Sequence, residues 1–243
     1  MSQSVERAAA ILDSLAEEPK AVSPLAVEFG IHRSTMFREL QTLQKVGFVR
    51  RREDGTYAVA FRLAVLGAAA LEDVALKEAA HVPVRQLHRV VGNTVHVAGL
   101  VGDEIFYVDK VEDPRRVRLY SRIGSPVHPN RSAVGKAILA GLPQKRRDDV
   151  LAGADWTRHT AQTLTTRAEL DAELEKTSVR GWAVDQGEFE EIVNCVAVPI
   201  TTPAGVVGAV SITALRMIHD LTYLEGHIPL LKQTADQIAH ALR

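Results

Sequence analysis

The stretch that most constrains this chain runs from Ile31 to Tyr57, IHRSTMFRELQTLQKVGFVRRREDGTY. Gly30 closes what precedes it. Ser34 and Thr35 stand where a new helix would begin, with side-chain oxygens able to cap free backbone N–H groups. Phe37, Leu40 and Leu43 recur at three-residue spacing, with Met36 four before Leu40, and this periodicity predicts an apolar face turned to a core. Arg33, Ser34, Thr35 and Arg38 fall toward the opposite side. Phe48 and Val49 then begin a strand, Asp54-Gly55 supplies a two-residue turn, and Thr56 to Val59 returns. Hydroxyls and arginines at the start of a helix, followed by an arginine-tipped hairpin, are the parts with which a winged helix-turn-helix enters a DNA groove. A surface helix beside a solvated hairpin would show the same periodicity, so the distribution of charge is the next observation.

The formal net charge of −1 argues for no partner by itself. Residues 1–30 carry Arg7 and Lys20 against Glu6, Asp13, Glu17, Glu18 and Glu28, a net of −3. Residues 31–52 carry Arg33, Arg38, Lys45, Arg50, Arg51 and Arg52 against Glu39 alone, a net of +5. A local basic island in a neutral protein suits a polyanion better than a diffuse basic excess does. Within it, Ser34 and Thr35 can donate to phosphates or bases, and Arg38, one turn on, can pair a phosphate. His32 and Arg33 are placed to reach base edges, where arginine prefers guanine. Arg50, Arg51 and Arg52 alternate along a strand, so one or two of them can meet backbone or minor groove and not all three. The alternative for each of these arginines is an ordinary solvated side chain.

Upstream, Ser4 to Glu18 reads as a helix with Val5, Ala8, Ile11, Leu12 and Leu15 on one stripe, capped by Ser4 and stopped by Pro19. Ser23 with Pro24 opens a short second helix through Phe29, with serine at the cap. Downstream, Phe61 to Val74 is apolar nearly all round and must be buried, against a second copy of itself or within its own chain. From Lys77 the texture changes. A helix with Pro83 near its first turns runs to Val91, and strands follow at Thr94–Leu100, Ile105–Lys110 and Arg116–Tyr120. Helices are expected over Ser132–Leu142, Pro143–Leu151 and Arg167–Val179, the last ended by Gly181. Strands at Trp182–Val184, Val193–Thr201 and Val206–Thr213 come next, the last two joined through Pro203-Ala204-Gly205, before one long closing helix from Leu221 to Leu242. Strands in close succession with helices in groups indicate an α+β fold with a largely antiparallel sheet.

The length of 243 residues allows one large domain or two ordinary ones, and 46% apolar with 24% charged residues is the balance of a globular protein. The nearest approach to a membrane span, Val91 to Val101, is interrupted by Asn93, Thr94 and His96. The N-terminus carries acids and lacks the basic flank and cleavage site of a signal peptide. A single cysteine, Cys195, excludes an internal disulfide framework and a cysteine zinc site, and fits a reducing cytoplasm.

A search for catalysis finds no HExxH, no GxSxG and no GxGxxG after a strand, and the histidines show no metal-ligand spacing. Gly135-Lys136 does not belong to a phosphate-binding P-loop, because Asn130 stands where glycine is required and Ala137 where Ser or Thr would hold magnesium. Cys195 as a thiol catalyst or redox sensor is the competing class. It would need a histidine partner, and the lack of a second cysteine weighs against a disulfide cycle. Ser132 opens a helix whose first turn, Ala133-Val134-Gly135, has small side chains and free N–H groups, a natural seat for a carboxylate. Ser211 and Thr213 lie two apart on one strand and face the same side. A lone strand cysteine is more often plain core, and strand hydroxyls often bond their neighbours.

Five segments, SVERAAAILDSLAE, GIHRSTMFRELQTLQKVGFVRR, SAVGKAILAGLP, RGWAVDQGEFEEIVNCVAVPI and AGVVGAVSIT, occur in the order and spacing of the IclR family of bacterial transcriptional regulators, which the chain resembles over nearly its full length. The resemblance implies a winged helix-turn-helix over residues 1–60, a linker and dimerisation helix over 61–75, and an effector-binding domain with a GAF- or PAS-like sheet over 76–243. It also implies homodimers, or dimers of dimers, on double-stranded operator DNA in the cytoplasm. The expected function is ligand-responsive control of a catabolic or metabolic operon, as a repressor in preference to an activator, with no cofactor, metal or membrane partner. By the same resemblance Leu119, Val127, Ala133 and Val134 line one side of an effector site, and Asp185, Cys195, Ser211 and Thr213 supply its polar groups. Such a mixture suits a small carboxylate or aromatic metabolite. Two departures stand out. Tyr57 is followed by Ala58-Val59-Ala60 where the family has Tyr-x-Leu-Gly, and after Asp185, Gly187 replaces a glutamate and Ile192 a glycine. That loop is therefore expected to take its own path.

Overall fold

The computed structural model describes residues 3–72, 75–112 and 121–242, except for the side chains of 68 and 70–72. The expected strand at Arg116–Tyr120 lies outside the described residues. The chain divides into two compact units, Met1–Ala70 and Leu71–Arg243.

The first unit holds α1 (Gln3–Glu17), α2 (Val22–Glu28), α3 (Arg33–Lys45), β1 (Val49–Arg51) and β2 (Tyr57–Val59), and α4 (Phe61–Glu72) begins within it. Its core is built from Ile11, Leu15, Leu25, Met36, Leu40 and Tyr57. Three corrections to the expected pattern have local causes. Helix α2 starts at Val22, with Ala21 as an N-cap that makes no side-chain bond, so Ser23 does not cap it. The chain enters there because Lys20 exchanges backbone hydrogen bonds with Tyr57, at 3.0 and 2.8 Å, and is delivered to the helix one residue on. Helix α3 is capped by His32, not by Ser34 or Thr35. Phe37 is 39% exposed while Met36, Leu40 and Leu43 are buried. A spacing of four then three keeps those three on one stripe of a 3.6-residue helix, and Phe37 sits roughly 100° round from Met36. The stripe of α1 also fades at Val5, which is exposed.

Within the single chain helix α4 is not covered: Phe61, Val65 and Leu66 are 82%, 54% and 48% exposed, so of the two expected modes of burial, packing within its own chain is the one not met at these residues.

The second unit continues with α5 (Ala75–Val91, Pro83 in its interior), β3 (Thr94–Val101), β4 (Glu104–Val111), α6 (Ala133–Gly141), α7 (Gln144–Leu151), α8 (Arg167–Arg180), β5 (Ala183–Gln186), β6 (Val193–Thr202), β7 (Gly205–Leu215), α9 (Leu221–Glu225) and α10 (Ile228–Ala241). Five antiparallel strands pair in the order β4-β3-β7-β6-β5. The predicted closing helix is two helices. It breaks at Gly226 and His227, ahead of Pro229, whose missing N–H is tolerated only in a first turn. The β6–β7 turn is tighter than expected, with Thr202 paired directly to Gly205.

Strand alternation sorts the sheet into two faces. Val95, Val97, Val196, Val198, Val210 and Ile212 meet α5 and α10. The opposite face carries small residues, Ala98, Ala197 and Ala209, and helix α6 packs there. Polar side chains interrupt that second face, and they define the site in this unit.

Candidate functional site

In the first unit the basic stretch is a surface. His32, Arg33, Ser34 and Arg38 are exposed at the start of α3, Thr35 is half-buried, and Arg50, Arg51 and Arg52 are exposed on the hairpin. The His32 ring accepts the Ser34 N–H at Nδ1 (3.3 Å) and lies 2.8 Å from the Ser34 hydroxyl. The first-turn N–H and the hydroxyl read as free in the sequence are thus held by His32. Glu39, the lone acid among residues 31–52, accepts hydrogen bonds from Arg7 of α1 at 2.8 and 3.0 Å through Nε. Among the described residues no ion pair engages Arg33, Arg38, Arg50, Arg51 or Arg52.

The hairpin differs from expectation. Gly55 N–H donates to Arg52 O and Arg52 N–H donates to Thr56 O, so the loop is the three residues Glu53-Asp54-Gly55, not Asp54-Gly55 alone. Gly55 takes φ +82°, the left-handed residue that follows a type I turn in such a loop. Asp54 accepts the Thr56 N–H and hydroxyl, which hold its carboxyl below the usual carboxylate range. Arg50 lies opposite Ala58 and Arg51 opposite Tyr57, so Arg50 and Arg52 share one face and Arg51 takes the other.

In the second unit a polar layer lies between the sheet and α6. Asp185, Cys195 and Thr213 stand side by side across β5, β6 and β7, and Ala197, Ser211 and His96 form the adjacent row. Thr213 Oγ1 donates to Cys195 Sγ (3.1 Å) and lies 3.3 Å from His96 Nδ1, while His96 Nε2 is 2.7 Å from the Ser121 hydroxyl. Asp185 Oδ1 accepts the Glu188 N–H at 2.8 Å. Lys136, wholly buried on α6, forms an ion pair with Glu188. Within this layer the second oxygen of Glu188 has no partner among the described residues, and the Ser211 hydroxyl has no strong one, with the Cys195 thiol beside it. Buried polar atoms without partners are rare.

Burial governs titration here. Desolvation and then the Glu188 charge push the Asp185 carboxyl up to about 7. Desolvation and then Asp185 push the Cys195 thiol up to about 12. Desolvation, with Lys110 nearby, holds His96 down to about 3. A nucleophilic cysteine needs the opposite environment, electropositive and partly exposed. Burial thus favours the protonated thiol and the neutral imidazole, the opposite of an activated nucleophile.

The loop after Asp185 is pinned over this layer. Thr160 and Thr163 hydroxyls donate to the carbonyls of Gly187 and Glu188, each at 2.6 Å. Phe189 sits against the rings of His128 and His159 and beneath the buried Arg131 guanidinium, which pairs with Asp155 at 3.0 Å. Gly187 takes φ +75°, a left-handed conformation that a side chain there would strain.

Of the expected effector residues, Asp185, Cys195, Ser211 and Thr213 come together, and Val127, Ala133 and Val134 are buried, packed in the same apolar cluster as Cys195. Leu119 lies outside the described residues. Sequence reasoning missed Lys136 and Glu188. The signal for Lys136 was a lone cation in a helix apolar on every side, Ala133 to Leu139 all being buried. No group of three or more potential metal ligands occurs among the described residues, and no described helix is long and apolar enough to cross a membrane.

Comparison with known proteins gives two family matches, the IclR helix-turn-helix domain over residues 4–53 and the bacterial transcriptional regulator IclR C-terminal domain over residues 68–240. The HTH-type transcriptional regulator KdgR of Escherichia coli is 32% identical, over 97% of this chain and 91% of its own length. The crystal structure of the Thermotoga maritima IclR matches with a TM-score of 0.78 at 32% identity, covering 98% of both chains. An IclR homolog from Microbacterium hydrocarbonoxydans, solved with 4-hydroxybenzoate, matches with a TM-score of 0.81 at 20% identity, over 99% of both chains, a likeness of fold.

Proposed function

Because the chain belongs to the IclR family of bacterial transcriptional regulators, with an N-terminal DNA-binding unit and a C-terminal effector-binding domain, we propose that it is a ligand-responsive repressor of a catabolic or metabolic operon. His32, Arg33, Ser34, Thr35 and Arg38 meet the major groove and its phosphates, and Arg50 with Arg52 on one face of the wing meets backbone or minor groove. The observation that carries this reading is the set of arginines on α3 and the hairpin that no ion pair engages among the described residues, while Glu39, the one acid on α3, is neutralised by Arg7. Repression follows if occupancy of the operator is itself the signal, since no contact with polymerase is then needed.

Two copies act together. The exposed Phe61, Val65 and Leu66 of α4 support this reading, because an apolar strip of that kind is stable only when covered. A two-fold dimer reads two half-sites, so the operator is a palindrome. In the C-terminal domain Asp185, Cys195, Ser211 and Thr213, walled by Val127, Ala133 and Val134, receive a small carboxylate or aromatic acid. The 4-hydroxybenzoate found in a relative of the same fold supports that class. The ligand acts by binding one dimer arrangement better than another. The protein works in the cytoplasm, beside its DNA. A gel shift with DNA upstream of its own gene tests the reading. A salt-sensitive, sequence-preferring complex is expected, and its absence with every upstream fragment contradicts the reading.

A further inference from the structure

Lys136 is the one basic side chain in the polar layer with no exposure at all, and its counter-ion comes from neither the sheet nor a helix. It comes from the pinned loop: Glu188 reaches back 52 residues in sequence to neutralise it. The pair is incompletely satisfied. Among the described residues Glu188 uses one carboxylate oxygen and leaves the other buried without a partner, and the Ser211 hydroxyl on the sheet face of the same layer has no strong partner, only the Cys195 thiol beside it. A buried ion pair stabilises well only when its remaining lone pairs are also bonded. Desolvation accordingly raises the Glu188 carboxyl above its ordinary range despite Lys136 beside it. A second acid, Asp185, adds negative charge to the same space and spends one oxygen on the Glu188 N–H.

We propose that Lys136 is the receptor for the effector's carboxylate and that Glu188 is its intramolecular stand-in, displaced when the effector binds. This rests on the reading of the C-terminal domain as an acid-binding site, and it names the residue that reads the acid. An incoming carboxylate brings two oxygens to a site that offers an ammonium and a hydroxyl without a strong partner. The exchange conserves charge, one carboxylate leaving Lys136 as another arrives, so no unpaired buried charge is created. Glu188 can leave only if its segment shifts. The Thr160 and Thr163 bonds to the Gly187 and Glu188 carbonyls and the seat of Phe189 between His128 and His159 then shift with it. The residues that hold the loop are thus the ones that sense occupancy. Selectivity follows: the site favours acids over their amides and esters, which cannot replace Glu188 on Lys136.

Chemical rescue tests this without knowing the natural effector. The full chain carrying Glu188→Ala is melted in sodium acetate and sodium formate against sodium chloride of equal ionic strength. The wild type and Lys136→Met/Glu188→Ala are melted in parallel. The truncated variant should gain about 3–6 °C in carboxylate over chloride, the size of a weakly bound ligand near ten times its dissociation constant. The double variant should gain nothing, because the receptor is gone, and it serves as the folded reference since neither member of the Lys136–Glu188 pair is left without its partner. If Glu188→Ala does not fold in chloride, the soluble yield on refolding in acetate against chloride replaces the melt. No carboxylate-specific gain in Glu188→Ala, or an equal gain in the double variant, overturns the assignment. If rescue fails while a carboxylate still alters operator affinity of the wild type, Lys136 is not the receptor and the acid-binding reading stands. If no carboxylate acts in either assay, both fall.

Discussion

Arg7 on α1 donates to both carboxylate oxygens of Glu39 on α3, at 2.8 and 3.0 Å through Nε, and so neutralises the only acid among residues 31–52. The pair ties the first helix to the third and leaves five arginines of that stretch outside any ion pair among the described residues. Arg7→Ala should therefore weaken DNA binding by roughly two- to fivefold at low salt although Arg7 need not touch DNA, and the loss should shrink as salt screens the freed Glu39. Fluorescence anisotropy at several salt concentrations measures this. Removing Glu39 as well should restore affinity, and a double variant no better than Arg7→Ala would show that Arg7 itself contacts the duplex.

Arg33 and Arg38 should separate specificity from affinity. Arg38→Ala should weaken binding to operator and random DNA alike and lower the salt slope by about one. Arg33→Ala should cost about 1–3 kcal/mol on the operator and little on random DNA. Competition binding against both DNAs decides, and equal weakening by Arg33→Ala would contradict its assignment to a base edge.

The raised carboxyl of Asp185 fixes the sign of a pH effect. Its folded value is about 7 against an ordinary value of 3.8, so between these the unfolded chain has lost the proton that the native state keeps. The native state then binds more protons, and this group's contribution to stability falls as pH rises from about 4 through 7. His96, held down to about 3, works the other way, its contribution rising with pH up to its ordinary range. The difference between wild type and Asp185→Asn isolates the first. The asparagine keeps an oxygen for the Glu188 N–H and should be more stable than wild type at pH 8, with the advantage vanishing near pH 4. Urea melts at the two values check it, and a variant equally destabilised at both would show that Asp185 is ionised and needed as such.

Cys195 should behave as core. With its thiol pushed up to about 12 by burial and by Asp185, it should resist micromolar peroxide at neutral pH, and operator affinity before and after treatment should agree. Sulfenate formation by mass spectrometry, with a change in affinity, would instead support a redox sensor.

The periodicity of Met36, Leu40 and Leu43 and the shared face of Ser211 and Thr213 were legible in the sequence because each follows from the geometry of one element. Phe37 was misplaced because neighbours on a helix differ by only a third of a turn. The cap by His32 was unreadable, histidine being an uncommon cap whose role here depends on the ring turning back to Ser34 N–H. The break before Pro229 was legible in Gly226 and Pro229 and was outweighed by the apolar pattern on either side. The Lys136–Glu188 pair was out of reach for another reason: it joins a helix to a loop 52 residues away, and no local rule spans that distance.

In the proposed function the arginine-bearing face of α3 and the hairpin binds operator DNA, and the C-terminal domain reports a ligand to it. The most direct measurement is the operator dissociation constant as a function of salt, on a palindromic fragment from upstream of the gene, with and without a panel of small carboxylates. Binding should weaken linearly in log–log form with a slope of at least about −4, as several phosphates are neutralised, and at least one acid should shift the whole line. A flat salt response, or a line that no ligand moves, would contradict the account.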